Sequence, residues 1–125
     1  MEPISLHMIY LIDDDPSVRN ALHLLLQTYE LPVTCFESPA DCLAHLDRSQ
    51  PGILITDLRM VPSNGLELIR QVRESSRAAL PIIVMSGDAE APDVIDAMHL
   101  SVVDFLLKPI DTDRLLKLIR EELGM

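Results

Sequence analysis

The side chains best suited to chemistry in this sequence stand where apolar runs stop. Leu11 and Ile12 lead into Asp13, Asp14 and Asp15; Ile55 and Thr56 into Asp57; Val84 and Met85 into Ser86 and Gly87; Leu106 and Leu107 into Lys108 and Pro109. Brought together, the carboxylates of Asp13, Asp14 and Asp57 repel one another and raise each other's pKa unless a cation sits among them. Oxygen ligands without Cys or His suit a hard ion. A few carboxylates completed by water suit Mg²⁺ better than a full Ca²⁺ cage. The ammonium of Lys108 and the hydroxyl of Ser86 then complete a phosphoryl site. Metal and Lys neutralise the oxygens, the hydroxyl donates a hydrogen bond, and a carboxylate serves as nucleophile.

Only a fold that gathers strand ends brings these residues together. Five short runs rich in Ile, Val and Leu alternate with stretches of helical period: His7 to Asp13, Pro32 to Phe36, Gly52 to Asp57, Pro81 to Ser86 and Val102 to Leu107. Most are apolar at consecutive positions, the pattern of parallel strands covered on both faces. Between them, Pro16 to Glu30 puts Val18, Leu22, Leu25, Leu26 and Tyr29 on one helical stripe, with Pro16 suited to the first turn. Asp15 before Pro16 is a natural N-cap, and Ser38 before Pro39 marks a second helix with Cys42, Leu43 and Leu46 facing inward. Leu66, Ile69 and Val72 make a third inward stripe and Val94, Ile95 and Met98 a fourth. Leu115, Leu116, Ile119 and Leu123, ahead of Gly124, make the fifth. This alternation predicts an α/β fold, a doubly wound parallel sheet of flavodoxin-like (βα)5 type in strand order 2-1-3-4-5. Strands one and three are neighbours in that order, so Asp13, Asp14 and Asp57 converge at the carboxyl edge, where Lys108 and Ser86 also arrive.

A chain of 125 residues, 48% hydrophobic and 24% charged, fits one soluble domain covering residues 1–125. Its formal charge of −10 disfavours direct contact with DNA, which begins with clustered Lys and Arg. No basic segment precedes an apolar one at the start, and no apolar run approaches the ~20 residues that span a bilayer. A cytoplasmic protein without membrane contact is expected. Cys35 and Cys42 read as reduced, buried thiols; with His45 they supply one ligand too few for structural zinc.

Taken together, IDDD (12–15), TDLRM (56–60), MSG (85–87) and VDFLLKP (103–109) resemble a response-regulator receiver domain of the CheY-like superfamily, over nearly the whole chain. The segment SGDAEAPDVIDAMHLSVVDFLLKP is similar to the FixJ-like branch, whose members usually carry a DNA-binding output domain after the receiver. The resemblance implies two-component signalling, with Asp57 as phosphoacceptor from the phosphohistidine of a sensor histidine kinase. It implies Mg²⁺ on Asp14, Asp57 and the Arg59 backbone carbonyl, with Asp13 helping to position it. It further implies Lys108 paired with Asp57, a cis bond to Pro109, and Ser86 and Phe105 as the switch. Output then passes through the face of the fourth helix, fifth strand and fifth helix, by homodimerisation or by an output domain lying outside this chain. Such a protein is no enzyme beyond its own phosphorylation and dephosphorylation.

The sequence departs from the FixJ-like pattern at Val61, where Pro normally follows Met60, and at Leu100-Ser101, where Ala-Gly is frequent. Asp88 and Ala89 stand where His and Gly are common. Gly65 keeps its usual spacing from Asp57, as a permissive backbone at the start of the third helix. Plainer readings exist for each site residue: Asp57 as a helix cap, Lys108 as a surface lysine, Ser86 as a turn residue and Phe105 as a core aromatic. Two rival functions also stand. Asp13-Asp14-Asp15-Pro16-Ser17 fits a haloacid-dehalogenase-type motif with Asp13 as nucleophile, though this leaves Asp57 without a role. A binding module could instead keep the fold and signal without phosphate.

Overall fold

Each apolar run becomes a strand because residues on both of its faces find a helix to bury them. In the computed structural model, which describes residues 8–46, 52–60, 64–75, 77–87 and 91–124, the strands are β1 (Met8–Ile12), β2 (Val33–Phe36), β3 (Gly52–Asp57), β4 (Ile82–Ser86) and β5 (Asp104–Leu107). They alternate with α1 (Pro16–Thr28), α2 (Pro39–Leu46), α3 (Gly65–Arg73), α4 (Ala91–His99) and α5 (Thr112–Leu123). The strands pair in parallel in the order β2-β1-β3-β4-β5, the doubly wound flavodoxin-like sheet predicted. The readings at His7, Val61, Asp88 and Ala89 fall outside the described residues.

Alternation along β1 explains the unbroken apolar runs. Ile9 and Leu11 pack with Leu22 and Leu26 of α1 and Leu115 and Ile119 of α5. Tyr10 and Ile12 point the other way, into a cluster with Cys42 of α2, Leu68, Ile69 and Val72 of α3, and Ala97 of α4. Every residue of β3 and β4 is buried, whereas the edge strands β2 and β5 are partly open. Burying a Leu or Ile side chain contributes ~1.5–3 kcal/mol, so two apolar layers on one sheet dominate the stability.

The caps follow the local sequence. Asp15 accepts a hydrogen bond from the Ser17 N–H at 2.9 Å and caps α1, with Pro16 in the first turn. The Ser38 hydroxyl accepts from the Asp41 N–H at the start of α2. Gly124 closes α5 in the left-handed conformation, with φ of 73°.

Three expectations are corrected. Helix α1 ends at Thr28, and Tyr29 is an exposed C-cap whose ring lies under Arg120 of α5. Among the described residues of α4 the fully buried one is Ala97, so Ile95 and Met98, each about 100° around the axis from an inward position, are 53% and 49% exposed. Gly65 is not needed for a positive φ, since among the described glycines only Gly124 has one. It is needed for space: a Cβ at Gly65 would lie 2.0 Å from the Asp57 carbonyl oxygen.

Candidate functional site

Register brings the acids together. Ile12 lies opposite Thr56 across β1 and β3, so the residues that follow, Asp13 and Asp57, emerge level with each other at the carboxyl edge. Asp57 is in turn opposite Met85 on β4, and Ser86 is opposite Leu107 on β5. Ser86 and Lys108 therefore sit one step beyond those pairs, with the Lys108 N–H donating to the Ser86 carbonyl at 2.8 Å. The Lys108–Pro109 bond is cis, as the resemblance implied.

Carboxylate oxygens of Asp13, Asp14 and Asp57 all lie within 4.8 Å of one another. Asp13 and Ser86 are fully buried and Asp57 is 6% exposed, while Asp14 opens to solvent. Lys108 Nζ donates to Asp13 Oδ2 at 2.9 Å and to Asp57 Oδ2 at 2.8 Å. Burial pushes the Asp13 carboxyl above its ordinary value, against the pull of the Lys108 hydrogen bond and of the Asp15 N–H that donates to its Oδ1. Burial lowers the Lys108 ammonium, but its bonds to Asp57 and Asp13 outweigh this and leave it above its ordinary value. Three carboxylates against one ammonium leave two negative charges, the amount one divalent cation balances. Oxygen donors and this charge fit a hard divalent ion.

Cys35 and Cys42 are free thiols, and burial pushes Cys42 up to about 12. Cys35 Sγ lies 3.2 Å from His23 Nδ1, and the His45 ring packs on Phe36, so the two thiols and His45 do not form a zinc set. Phe105 is half-buried on β5, opposite Val84, and packs on the α2, α3 and α4 side of the sheet.

A family model described as the response regulator receiver domain matches residues 9–120. The chain belongs to the response-regulator receiver domain family. Receiver domains of this family serve two-component response regulators, and several of the similar proteins, FixJ among them, are transcriptional regulators by name. The chain is 36% identical over 111 residues to the transcriptional regulatory protein FixJ of Bradyrhizobium diazoefficiens, covering 89% of this chain and 54% of FixJ. It is 39% identical over 118 residues to the response regulator protein TodT of Pseudomonas putida, covering 94% of this chain and 52% of TodT. It thus spans about half the length of the curated relatives it matches. The crystal structure of a response regulator receiver protein from Pseudomonas putida superposes with a TM-score of 0.88 at 42% identity, covering 92% of this chain and 96% of that one.

Four residues of this receiver domain escaped the sequence reading. Arg19 on α1 donates from Nη1 to the Asp13 carbonyl at 2.8 Å, fixing the acidic turn from outside. The buried Thr56 hydroxyl donates to the Asp57 carbonyl at 2.9 Å. Arg59, read only for its carbonyl, donates its N–H to Asp57 Oδ1 at 3.2 Å and its guanidinium to Asp93 of α4 at 3.0 Å. Arg73 donates to the carbonyls of Leu100, Leu80, Ala78 and Ser101 at 2.7, 2.7, 2.9 and 3.2 Å. At the Leu100-Ser101 departure, where both carbonyls accept from Arg73, Ser101 keeps a left-handed backbone with φ of 59° without being glycine. The Thr56 bond and the Arg59 N–H bond are local, whereas the three guanidinium groups reach neighbours that only the fold supplies.

Proposed function

We propose that this receiver domain accepts a phosphoryl group on Asp57 from the phosphohistidine of a sensor histidine kinase. The observation that carries the reading is Lys108 Nζ held between Asp13 Oδ2 and Asp57 Oδ2, beside an acidic cluster with room for charge compensation. An Asp57 carboxylate oxygen attacks phosphorus, a new P–O bond forms as the P–N bond breaks, and the electron pair returns to the imidazole nitrogen. Asp13, Asp14, Asp57 and the Arg59 carbonyl would hold Mg²⁺, which would supply positive charge against the phosphoryl oxygens. Lys108 leaves the Asp57 carboxylate for a phosphoryl oxygen, and the Ser86 hydroxyl donates to another. The chain turns over only its own phosphoryl group.

The added charge, roughly −1.5 to −2, draws Ser86 inward and lets Phe105 follow. That movement biases the face of α4, β5 and α5, where Ile95, Met98 and Leu107 are 53%, 49% and 60% exposed. Apolar side chains grouped on one face suit a homodimer contact or an output domain. DNA is reached only through such a domain.

The dehalogenase-type reading fares worse, because Asp15 is spent on capping α1 and the motif leaves Asp57, which shares Lys108 with Asp13, without a role. Acetyl phosphate with Mg²⁺, followed by intact mass, separates the readings. One added phosphoryl group that disappears in Asp57→Asn supports the proposal. An unmodified wild-type chain supports a phosphate-independent module, and steady phosphate release from unrelated esters supports a phosphatase.

A further inference from the structure

Arg19 stands where helix physics alone does not favour it. It lies near the start of α1, with its N–H donating to the Asp15 carbonyl at 3.0 Å, and that end of a helix disfavours a cation. The first turn holds no acid to offset it. Side chains on a helix lean toward its N-terminus, so the guanidinium points back at the acidic turn. There Nη1 donates to the Asp13 carbonyl at 2.8 Å, and Nη2 lies 3.7 Å from Glu37, the residue that follows β2. The Arg19 side chain is 14% exposed and that of Glu37 81%, so the ion pair is weak and the carbonyl bond is the strong contact.

The Asp13 carbonyl belongs to the peptide that joins two of the three pocket acids. β1 pairs with β3 as far as Ile12 opposite Thr56, so this peptide lies past the ladder that orders the strand. The direction of its carbonyl sets where the backbone carries Asp13 and Asp14. The Asp13 carboxylate is held separately, by the Asp15 N–H on Oδ1 and by Lys108 on Oδ2. Arg19 therefore meets the backbone of the acid pair and not its charge.

We propose that Arg19 is a positioning residue for cation binding. By fixing the Asp13–Asp14 peptide it keeps both carboxylates within reach of one divalent ion, while Glu37 steadies the guanidinium. Resting on the reading of Asp13, Asp14 and Asp57 as a Mg²⁺ site, this gives the end of β2 a part in that site. Metal affinity separates such a role from simple electrostatics by its sign. A cation acting through space repels Mg²⁺, so its removal tightens metal binding. A cation acting through the backbone does the opposite.

The test titrates Mg²⁺ calorimetrically into the wild type, Arg19→Met, Arg19→Gln, Arg19→Lys and Glu37→Gln, with folding checked by amide spectra. Losing a group that orients a metal ligand costs about 10–100-fold in affinity; Arg19 acts on the peptide rather than on a ligand atom, so Arg19→Met and Arg19→Gln bind about tenfold more weakly. Arg19→Lys keeps a charged donor and stays within about threefold of wild type. Glu37→Gln loses an exposed pair and changes affinity less than about twofold. Without metal, the Asp14 amide resonance moves in Arg19→Met and Arg19→Gln and returns in Arg19→Lys, while amides far from the turn stay in place. Unchanged or tighter Mg²⁺ binding in Arg19→Met and Arg19→Gln, a stationary Asp14 amide, or an Arg19→Lys chain no better than Arg19→Met overturns the proposal. Loss of folding in both uncharged variants makes Arg19 a strut of the fold and overturns it as well. A wild type that binds no Mg²⁺ overturns the reading of the pocket itself, and this proposal with it.

Discussion

Replacing Lys108 with Met tests the electrostatic reasoning most directly. Met keeps the length of the stem and removes the ammonium, leaving a fully buried Asp13 and a nearly buried Asp57 without their shared cation. Breaking a buried pair by deleting one partner costs ~3–5 kcal/mol. Lys108 itself is 19% exposed, and Asp14 brings water to the pocket, so the lower end, about 3 kcal/mol, is expected. That corresponds to a fall of roughly 10 °C in Tm for a domain of this size. The check is urea unfolding with chelator and again with excess Mg²⁺. A divalent ion replaces the lost charge and binds the more negative variant more tightly, so the gap between variant and wild type narrows when Mg²⁺ is added. Lys108 is raised above 10.5 in the folded protein, so its stabilisation is fully present below that pH and fades as pH climbs through the folded value. The wild-type advantage should follow the same course. A Lys108→Met chain as stable as wild type in chelator, or a gap indifferent to Mg²⁺, refutes the argument.

Other consequences are equally concrete. Asp13 binds its proton more tightly folded than unfolded, so its contribution makes the metal-free protein more stable as pH falls toward 3.8, and protons compete with Mg²⁺ over that range. Mg²⁺ titrations at successively lower pH should show affinity falling earlier in wild type than in Asp13→Asn. Gly65→Ala drives a Cβ to within 2.0 Å of the Asp57 carbonyl, so a loss of about 1–3 kcal/mol in urea midpoint analysis is expected, with weaker Mg²⁺ binding. Ser101→Gly relieves a left-handed backbone that costs a non-glycine residue roughly 1–2 kcal/mol, offset in part by the unfolded-chain entropy of glycine. A net gain of about 0.5–1 kcal/mol is expected by thermal or urea unfolding.

Asp13, Asp57, Ser86 and Lys108 were legible because a parallel sheet sends every strand end to one edge, and strand order follows from the βα alternation. Asp15 and Ser38 were legible for a local reason, since each satisfies N–H groups within its own first turn. The orientation of α4 was not. Val94, Ile95 and Met98 suggest one stripe, but a helix with few large apolar residues can be buried through Ala97, and the sequence alone does not rank the two faces. The role of Gly65 was misread because spacing signals that glycine is needed without saying whether φ or a close backbone approach requires it. Arg59, Arg19 and Arg73 were silent because a guanidinium reaches across elements to partners that no periodicity encodes.

The ammonium that completes the pocket comes from 95 positions beyond one of its acids and 51 beyond the other. Until β5 has docked against β4, a growing or unfolding polypeptide holds its acids without their counter-charge. On the proposed reading, competence to take a phosphate is therefore a readout of finished folding, since a chain caught partway lacks the ammonium that completes the pocket.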